Sequence, residues 1–599
     1  MALIQFCVVG IFFLALYKTL NLLLRRPHGI DLDGPDRGNW LLGNIITLFE
    51  GGIDYCVNLS EKYGGAVRLH GPYGETVYVS DPRALHHIVV KDKHIFEEPD
   101  DFIVSNKLVF GEGLISTVGE QHRRQRKLIS PVFSMSNMRR HLSAVHHIAD
   151  RLTSTLAAKL PADGSHSEID VLPWLSRCAL DSICHCVLGY SSNSLSAAED
   201  DEYTEALRSV GPLIGNLCLL RPFVLIVTRC CSPYWAKKVL DLVTAPWIPT
   251  KFMRDIREMR RVVESMDCVS RKVFAEKKAA MDAEDSLCGG GDSMPSMMDI
   301  MLKANSVSCN ETKLTDAELL GQMNVMIFAG LDTTTSALAR CVYLLAQHPR
   351  VQARLRSEIS DAMKSSRLQE EDDIPSAELP YDVLMSLPFL DAIVKETLRL
   401  YPSLPLMIRT TTEATTLPLH FPTRSRSGEH TSAVTIPQGT HVVISILAAN
   451  RHQGIWGADA NEWRPERWLS SPLAVPPDMD ILVGGEDATS TSRSAPVLGV
   501  KDGMRFPGVY SNMMTFLGGS RSCIGFKFAE MEIKQVLATL VLRLHFSLPT
   551  ERNAQGDVKE IQWKLKGFHI PVVKAPAGDG VTPQVPLNVR SVREEDFKW

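Results

Sequence analysis

Leu3 to Leu24 is almost continuously apolar, weakened by Gln5, Lys18 and Asn21. About 20 helical residues cover the roughly 30 Å hydrocarbon layer of a bilayer, so the run predicts one spanning helix over residues 3–24. Lys18 lies near one end, where its ammonium reaches the headgroups. Arg25, Arg26 and His28 follow the run and no Lys or Arg precedes it, which places the C-terminal side in the cytosol. A cleaved signal peptide is the competing reading, but the run is long and lacks a small-x-small cleavage site.

Residues 25–44 are polar and turn-rich and read as a hinge. Alternation in Val67-Arg-Leu69 and Val77-Tyr-Val79 around Gly71-Pro-Tyr-Gly74 predicts a β-hairpin. Helical runs fill Ile169 to Ile300; among them Leu213 to Val227 is strongly apolar and is interrupted by Arg221-Pro222. Met281 to Pro295, with Gly289-Gly-Gly291, reads as a surface linker. A capping box at Thr315 and Glu318 opens a long helix through Met323 to Ala346. Val434-Thr-Ile436 and His441 to Ile444 suggest small sheets, and Phe526 to Leu544 a long helix. Trp563 to Val573 reads as a strand pair turning at Gly567-Phe568. Residues 470–511 are rich in Ser, Pro, Gly and Asp and form an expected insertion loop. The tail, 576–599, is polar and reads as surface-bound or loose.

The chain has 599 residues and a net charge of −5, with 22% charged residues, so nothing in the whole-chain charge favours nucleic acid. Its 13 cysteines follow no disulfide-framework spacing. Cys178, Cys184, His185 and Cys186 contain no Cys-x-x-Cys pair and sit in an apolar helix, so buried thiols are expected rather than zinc. The sequons at Asn58 and Asn310 fall on the cytosolic side of the predicted topology, where glycosylation is not expected.

Candidate chemistry concentrates in Phe516-Leu-Gly-Gly519-Ser-Arg521-Ser-Cys523-Ile-Gly525. A lone cysteine is usually a small buried residue. Here Gly518, Gly519 and Gly525 permit positive φ and close approach to a ligand, Arg521 offers a charge that favours thiolate, and Phe516 can cover the sulfur. The helix that follows presents its N-terminal dipole to Cys523. The spacing Phe-x-x-Gly-x-Arg-x-Cys-x-Gly resembles the haem-binding loop of the cytochrome P450 family. The resemblance implies a mainly helical α+β prism with small β-sheets, spanning 45–575, and haem b with Cys523 as its axial ligand.

Three further stretches fit the resemblance. Ala329-Gly330-Leu331-Asp332-Thr333-Thr334 is costly inside a helix, Gly330 alone by about 1 kcal/mol relative to Ala. It resembles the family's oxygen-activation motif, which implies that Gly330 admits dioxygen, Thr333 donates a hydrogen bond to the oxygen being activated, and Asp332 links that donor to solvent protons. Glu396-Thr-Leu-Arg399 and Pro465-Glu466-Arg467-Trp468 resemble the family's buried charge network, with Trp in place of Phe. In the basic helix Gly119 to Lys127, His122 and Arg126 stand where the family has Trp-x-x-x-Arg, so both are candidates for a haem propionate, as is Arg409. Arg123, Arg124 and Lys127 make a solvated face or one that meets an acidic redox partner. Leu404, Pro405, Leu406, Met407 and Phe568 are candidate pocket residues.

The resemblance implies a monooxygenase using dioxygen and electrons from an NADPH-dependent flavoprotein reductase. The expected substrate is a hydrophobic small molecule, terpenoid-like and of secondary metabolism. The expected location is the endoplasmic reticulum membrane, single-pass, with the catalytic domain cytosolic. It also makes Leu213 to Val227 either a buried helix pair or a substrate-entrance roof dipping into lipid. A reductase-independent haem-thiolate isomerase or dehydratase, or a haem sensor or electron carrier, would have less use for the Asp332-Thr333 pair.

Overall fold

Residues 29–39, 42–190, 194–195, 202–243, 251–284, 295–308, 312–367, 378–469, 505–510, 512–552 and 556–598 are described by the computed structural model. The predicted anchor 3–24, the Gly289-Gly-Gly291 linker, the Asn310 sequon and most of 470–511 lie outside them.

A single helix, Asp316–Gln347, organises the molecule. At 1.5 Å per residue its 32 residues run about 48 Å. Its start is the capping box read from the sequence: Glu318 N donates to Thr315 Oγ1 at 3.2 Å and Thr315 N donates to Glu318 Oε2 at 2.9 Å. Leu319, Met323, Ile327, Leu331, Leu338 and Leu345 are all buried, as expected of a helix enclosed by others. The helices Leu172–Ile183, Pro388–Leu400 and Phe526–Arg543 pack on it, and Met135–Ala157 lies along Phe526–Arg543. Their shared core holds Leu142, Val145, Leu180, Leu331, Met531, Val536 and Leu540. Burying each such side chain stabilises the fold by roughly 1.5–3 kcal/mol.

Two described segments are long and apolar enough to cross a membrane, Glu205–Cys230 and Asp316–Gln347. They differ in burial: 72% of the apolar window is buried in the second and 22% in the first. The second is therefore a core helix. The first is a surface element made of Glu202–Leu217, a short 3-10 turn and Arg221–Cys230, where Arg221-Pro222 starts a new helix.

The described strands form four small sheets. β1 (Ala66–Gly71), β2 (Gly74–Val79), β3 (Phe96–Glu97), β5 (Leu406–Thr411) and β8 (His441–Ser445) make one in the order β1-β2-β8-β5-β3. The predicted hairpin is β1–β2, in register from Ala66 opposite Val79 to Gly71 opposite Gly74. β6 (Thr415–Arg424) pairs with β7 (His430–Ile436). β10 (Ile561–Lys566) and β11 (Phe568–Val573) turn at Gly567, whose φ is +81°. Within the expected hinge, Ile30 and Leu32 are fully buried, and Arg68 N donates to Asp33 O at 3.0 Å, so this stretch is laid along β1.

The tail departs from the sequence reading. β12 (Pro586–Ser591) is the middle strand between β4 (Ser167–Asp170) and β9 (Leu544–Ser547). Val585, Leu587 and Val589 share one face and join the core, a period-two pattern disguised by Pro586 and Asn588, which lie between them and are also buried. Arg590 grips Asp596 through two hydrogen bonds of 2.6 Å, and Arg356 Nη1 donates to Asp596 O at 2.6 Å. Residues 585–598 are thus part of the domain.

Candidate active site

The cysteine loop is held by its backbone. Cys523 N donates to Phe516 O at 2.8 Å, closing the loop over a 3-10 turn, Gly519–Arg521. Leu517 has φ of +53°, the left-handed region that costs a residue with a Cβ about 1–2 kcal/mol. Among the described residues it is the one non-glycine so placed. Of the three loop glycines only Gly519 has positive φ, +65°, and a Cβ there would lie 2.0 Å from Val89 O. Gly518 is extended and abuts Pro507 O; Gly525 would tolerate a Cβ, its nearest neighbour being Phe133 at 3.6 Å. Gly518 and Gly519 thus fit the loop to its own protein neighbours, and only Gly519 uses positive φ, which corrects the expectation that all three are there for positive φ and close approach to a ligand.

Cys523 has exposed surface, yet burial pushes its thiol pKa up. Exposed surface on a residue whose thiol is surrounded by protein fits a hollow beside the loop. The Gly525 N–H, at the cap of helix Phe526–Arg543, and the charge of Arg126 oppose that rise by favouring thiolate. The assisting charge is therefore Arg126 rather than Arg521. Arg126 reaches Ser522 O and Ser522 Oγ, both at 2.8 Å, whereas Arg521 turns to Thr117 O at 2.9 Å.

Four cationic or basic groups gather beside the loop. Arg409 is buried and pairs with Glu98 at 3.0 Å; Arg521 lies 3.9 Å from the same carboxylate. His122 is buried and its pKa is lowered to about 3, by burial first and then by the charges of Arg521 and Arg126, so its ring is neutral. Arg409 and Arg521 thus share the Glu98 carboxylate, with Glu97 also acting on Arg521, while Arg126 donates to the neutral Ser522, and this cationic set fits a ligand carrying carboxylates. On the same basic helix Arg123 and Lys127 are exposed, but Arg124 turns inward to Glu318 at 2.6 Å. Burial would raise the Glu318 carboxyl, but hydrogen bonds from Thr315 N and from Gln121, Arg124 and Gln125 hold it at about 2.

On the central helix Ala329 is exposed and Thr333, one turn on, is half-buried, in an otherwise enclosed stretch. Thr333 Oγ1 donates to Ala329 O at 2.6 Å, and Ser403 Oγ donates to Thr333 O at 2.8 Å. Gly330 faces elsewhere: a Cβ there would meet Ile183 Cδ1 at 2.6 Å. Its missing side chain admits helix Leu172–Ile183, which corrects the expectation that it makes room for dioxygen. Asp332 is turned to helix Glu202–Leu217, where its Oδ2 would lie 2.0 Å from a Cβ on Gly211. Burial raises its pKa to about 7, opposed by the charge of Arg208. Neither Gly211 nor Arg208 was legible as a site residue, because nothing local links them to Asp332.

The family model for cytochrome P450 matches residues 33–563. Cytochrome P450 monooxygenase 91 of Postia placenta is 36% identical over 592 residues, covering 98% of each chain. Cytochrome P450 monooxygenase 219 of the same organism is 35% identical over 599 residues, covering 97% of this chain and 98% of the other. Ganoderic acid synthetase CYP5150L8 of Ganoderma lucidum is 34% identical over 542 residues, 89% of each. This chain belongs to the cytochrome P450 family. It is a P450 monooxygenase, and the family's group is haem held by a cysteine thiolate.

The P450 charge network is present with two additions. Arg399 Nε and Nη2 donate to Glu396 Oε2 and Oε1 at 2.8 and 2.9 Å, and Arg399 Nη1 donates to Asn450 O and Ala460 O. Arg467 Nε reaches Glu396 Oε1 at 3.3 Å and Arg467 Nη2 pairs with Asp459 at 3.0 Å. Trp468 Nε1 donates to Glu396 Oε2 at 2.9 Å, a bond the usual Phe could not make. Asp459 was missed in the sequence because its partner is eight residues on. Burial raises the Glu396 carboxyl, but Arg399 and the other donors outweigh it and leave the pKa low.

The expected P450 pocket residues separate. Leu406 and Met407 are neighbours on β5 and so point to opposite faces; Leu406 packs with Leu48 and Leu447, Met407 with the cluster containing Met514 and Leu517. Arg409 shares the face of Met407. Leu404 is half-buried before the strand. Phe568, at the β10–β11 turn, meets Phe328 with ring centroids 6.3 Å apart, and Phe328 meets Phe110 at 4.6 Å. Phe328 precedes Ala329, so this aromatic row adjoins the Thr333 stripe.

Proposed function

We propose that Cys523 would hold the haem of this monooxygenase, and that it and the Ala329–Thr333 stripe face one hollow where a hydrophobic molecule is oxidised. The observation that carries it is Cys523, a residue with exposed surface whose thiol is nonetheless surrounded by protein, beside the Gly525 N–H and Arg126. Arg126, Arg409, Arg521 and neutral His122 would hold the two propionates. When bound, haem supplies dioxygen activation and insertion of one oxygen atom into carbon. Thr333 supplies a hydroxyl whose proton is aligned by Ala329 O, and Asp332, titrating near neutrality, exchanges protons between the interior and solvent. Phe110, Phe328 and Phe568 exclude water and orient an apolar substrate.

Electrons come from an NADPH-dependent flavoprotein reductase, docking near the exposed Arg123 and Lys127. The substrate is terpenoid-like; the relative named for ganoderic acid synthesis supports secondary metabolism. The apolar run 3–24 and the surface segment Glu205–Cys230 support an endoplasmic reticulum membrane location with the catalytic domain in the cytosol. The test is the carbon monoxide difference spectrum of membranes carrying wild type or Cys523→Ala. The thiolate-type band is expected only in wild type, and its retention in the variant excludes this ligand. Product formation that requires reductase and NADPH separates monooxygenation from reductase-independent rearrangement.

A further inference from the structure

Side chains on three separate elements close a ring of hydrogen bonds that includes the Thr333 carbonyl. Ser403 Oγ, in the loop after helix Pro388–Leu400, donates to Thr333 O at 2.8 Å. Ser336 Oγ, three residues along the central helix and so on the face of Thr333, donates to His569 O at 3.2 Å. His569 Nδ1 lies 3.1 Å from Pro402 O, one residue before Ser403. A carbonyl oxygen only accepts, so the ring nitrogen donates. Burial, then the charge of Arg340, lowers the His569 pKa to about 3, so the ring is neutral and its one hydrogen is on Nδ1. The bonds therefore run from helix to hairpin, from hairpin to loop, and from loop back to helix.

Each element is set by other bonds. The loop is held by Tyr401 N donating to Thr397 O at 2.8 Å and by Leu447 N donating to Pro405 O at 3.1 Å. The β10–β11 hairpin has its own register, with Leu565 opposite His569 and Lys566 opposite Phe568. Within the helix, Thr333 and Thr335 return their hydroxyls to the carbonyls four residues earlier, Ala329 O and Leu331 O, as such side chains usually do. Ser336 instead sends its hydroxyl out of the helix to the hairpin. Pro402, Ser403 and His569 are buried, which keeps water from taking their places in the ring. What the ring adds is the position of the three elements relative to one another.

The ring has a sensing end and an acting end. His569 follows Phe568, whose ring meets Phe328 with centroids 6.3 Å apart, and Thr333 carries the hydroxyl aligned by Ala329 O. We propose, resting on the reading of Thr333 as the proton donor, that Ser336, Ser403 and His569 are positioning residues that join these two points. The Thr333 hydroxyl is then held for proton delivery while the Phe568 turn is seated. A molecule in the hollow that pushes Phe568 away from Phe328 moves His569, and through Ser336, Pro402 and Ser403 it moves the helical turn that carries Thr333. A molecule that fits leaves the ring closed. Proton delivery thereby answers to the fit of the apolar molecule, and a poor fit diverts electrons to hydrogen peroxide.

The test uses the haem-loaded full chain in membranes with an NADPH-dependent flavoprotein reductase, consuming NADPH without added substrate. Dioxygen takes two electrons and two protons to hydrogen peroxide and four of each to two waters, so counting NADPH, dioxygen and peroxide gives the ratio of peroxide to water. Ser403→Ala, Ser336→Ala and His569→Leu should each raise that ratio roughly two- to tenfold, the weight of one hydrogen bond, and keep the thiolate-type carbon monoxide band. Loss of folding alone would shrink the band and leave the ratio where it was. Ser403→Thr, which keeps the hydroxyl, and His569→Asn, whose amide N–H takes the place of Nδ1–H, should return the ratio to the wild-type value. In a Thr333→Ala background none of the changes should raise it further, because all act through that hydroxyl. A ratio unmoved by Thr333→Ala overturns the reading of Thr333 and this inference with it. A ratio raised by Thr333→Ala but unmoved by Ser403→Ala and Ser336→Ala, or additive effects in the double variants, overturns this inference alone. If His569→Leu does not fold, the two serine variants decide.

Discussion

Glu396 and Arg399 meet through two parallel hydrogen bonds of 2.8 and 2.9 Å with neither side chain exposed to solvent. Bidentate pairing and the extra donors Trp468 and Arg467 compensate the cost of burying the charges. Removing one partner leaves the other stranded, so Glu396→Ala should cost about 3–5 kcal/mol. Trp468→Phe, which restores the family's usual residue, should cost about 1.5–3 kcal/mol through the lost bond to a charged acceptor. Urea unfolding followed by haem release checks both, and equal midpoints for wild type and Trp468→Phe would remove that tryptophan from the network.

Thr333→Ala removes a hydroxyl held 2.6 Å from the carbonyl one turn earlier. Bonds of this kind within a helix add little to stability, so the variant should fold and bind haem normally. Product per NADPH consumed is expected to fall while hydrogen peroxide release rises, and Thr333→Ser should recover much of the coupling. Unchanged coupling in the alanine variant would show that this hydroxyl does not govern proton delivery.

How far these sites could be read from the sequence depends on how local their determinants are. The cysteine loop, the capping box at Thr315 and the β1–β2 hairpin are each written within a few consecutive residues, and each stands where it was expected. What escaped is what the fold brings together. Gly330 was given to a ligand although its neighbour is Ile183, 147 positions earlier. Asp332 was tied to Thr333 by adjacency, but successive helical residues lie about 100° apart, and its carboxyl meets Gly211 instead. Similarly, Arg521 was chosen as the charge nearest the sulfur because it is two residues away, while Arg126 reaches that place from another helix.

Asp332 sets a pH dependence whose sign follows from its environment. Burial raises its pKa from 3.8 to about 7, so the folded protein holds this proton more tightly than the unfolded chain. Its contribution is complete below the unfolded value and is lost as pH rises through about 7. Stability should therefore fall between about pH 4 and 7 more steeply in wild type than in Asp332→Asn, which cannot titrate. The difference between their urea midpoints at pH 5 and pH 8 isolates this group from the histidines. The pH dependence of product formation near neutrality should flatten in the same variant. Parallel curves for the two proteins would show that Asp332 does not titrate there.

The C-terminal segment tests whether β12 is structural. Val589 is fully buried and stands opposite Ser167 on β4 and Phe546 on β9, so a carboxylate placed there loses its water and gains no partner. Burying a charge in this way costs several kcal/mol, a large part of the 5–15 kcal/mol that holds a typical domain together. Val589→Glu should therefore sharply reduce the yield of protein with the thiolate-type carbon monoxide spectrum. Val581, 59% exposed in the same tail, supplies the control, since Val581→Glu should leave the yield unchanged. Deleting residues 585–599 leaves the facing edges of β4 and β9 without the strand between them and should abolish folding. Normal yields from the deletion would return the segment to the status of an appendage.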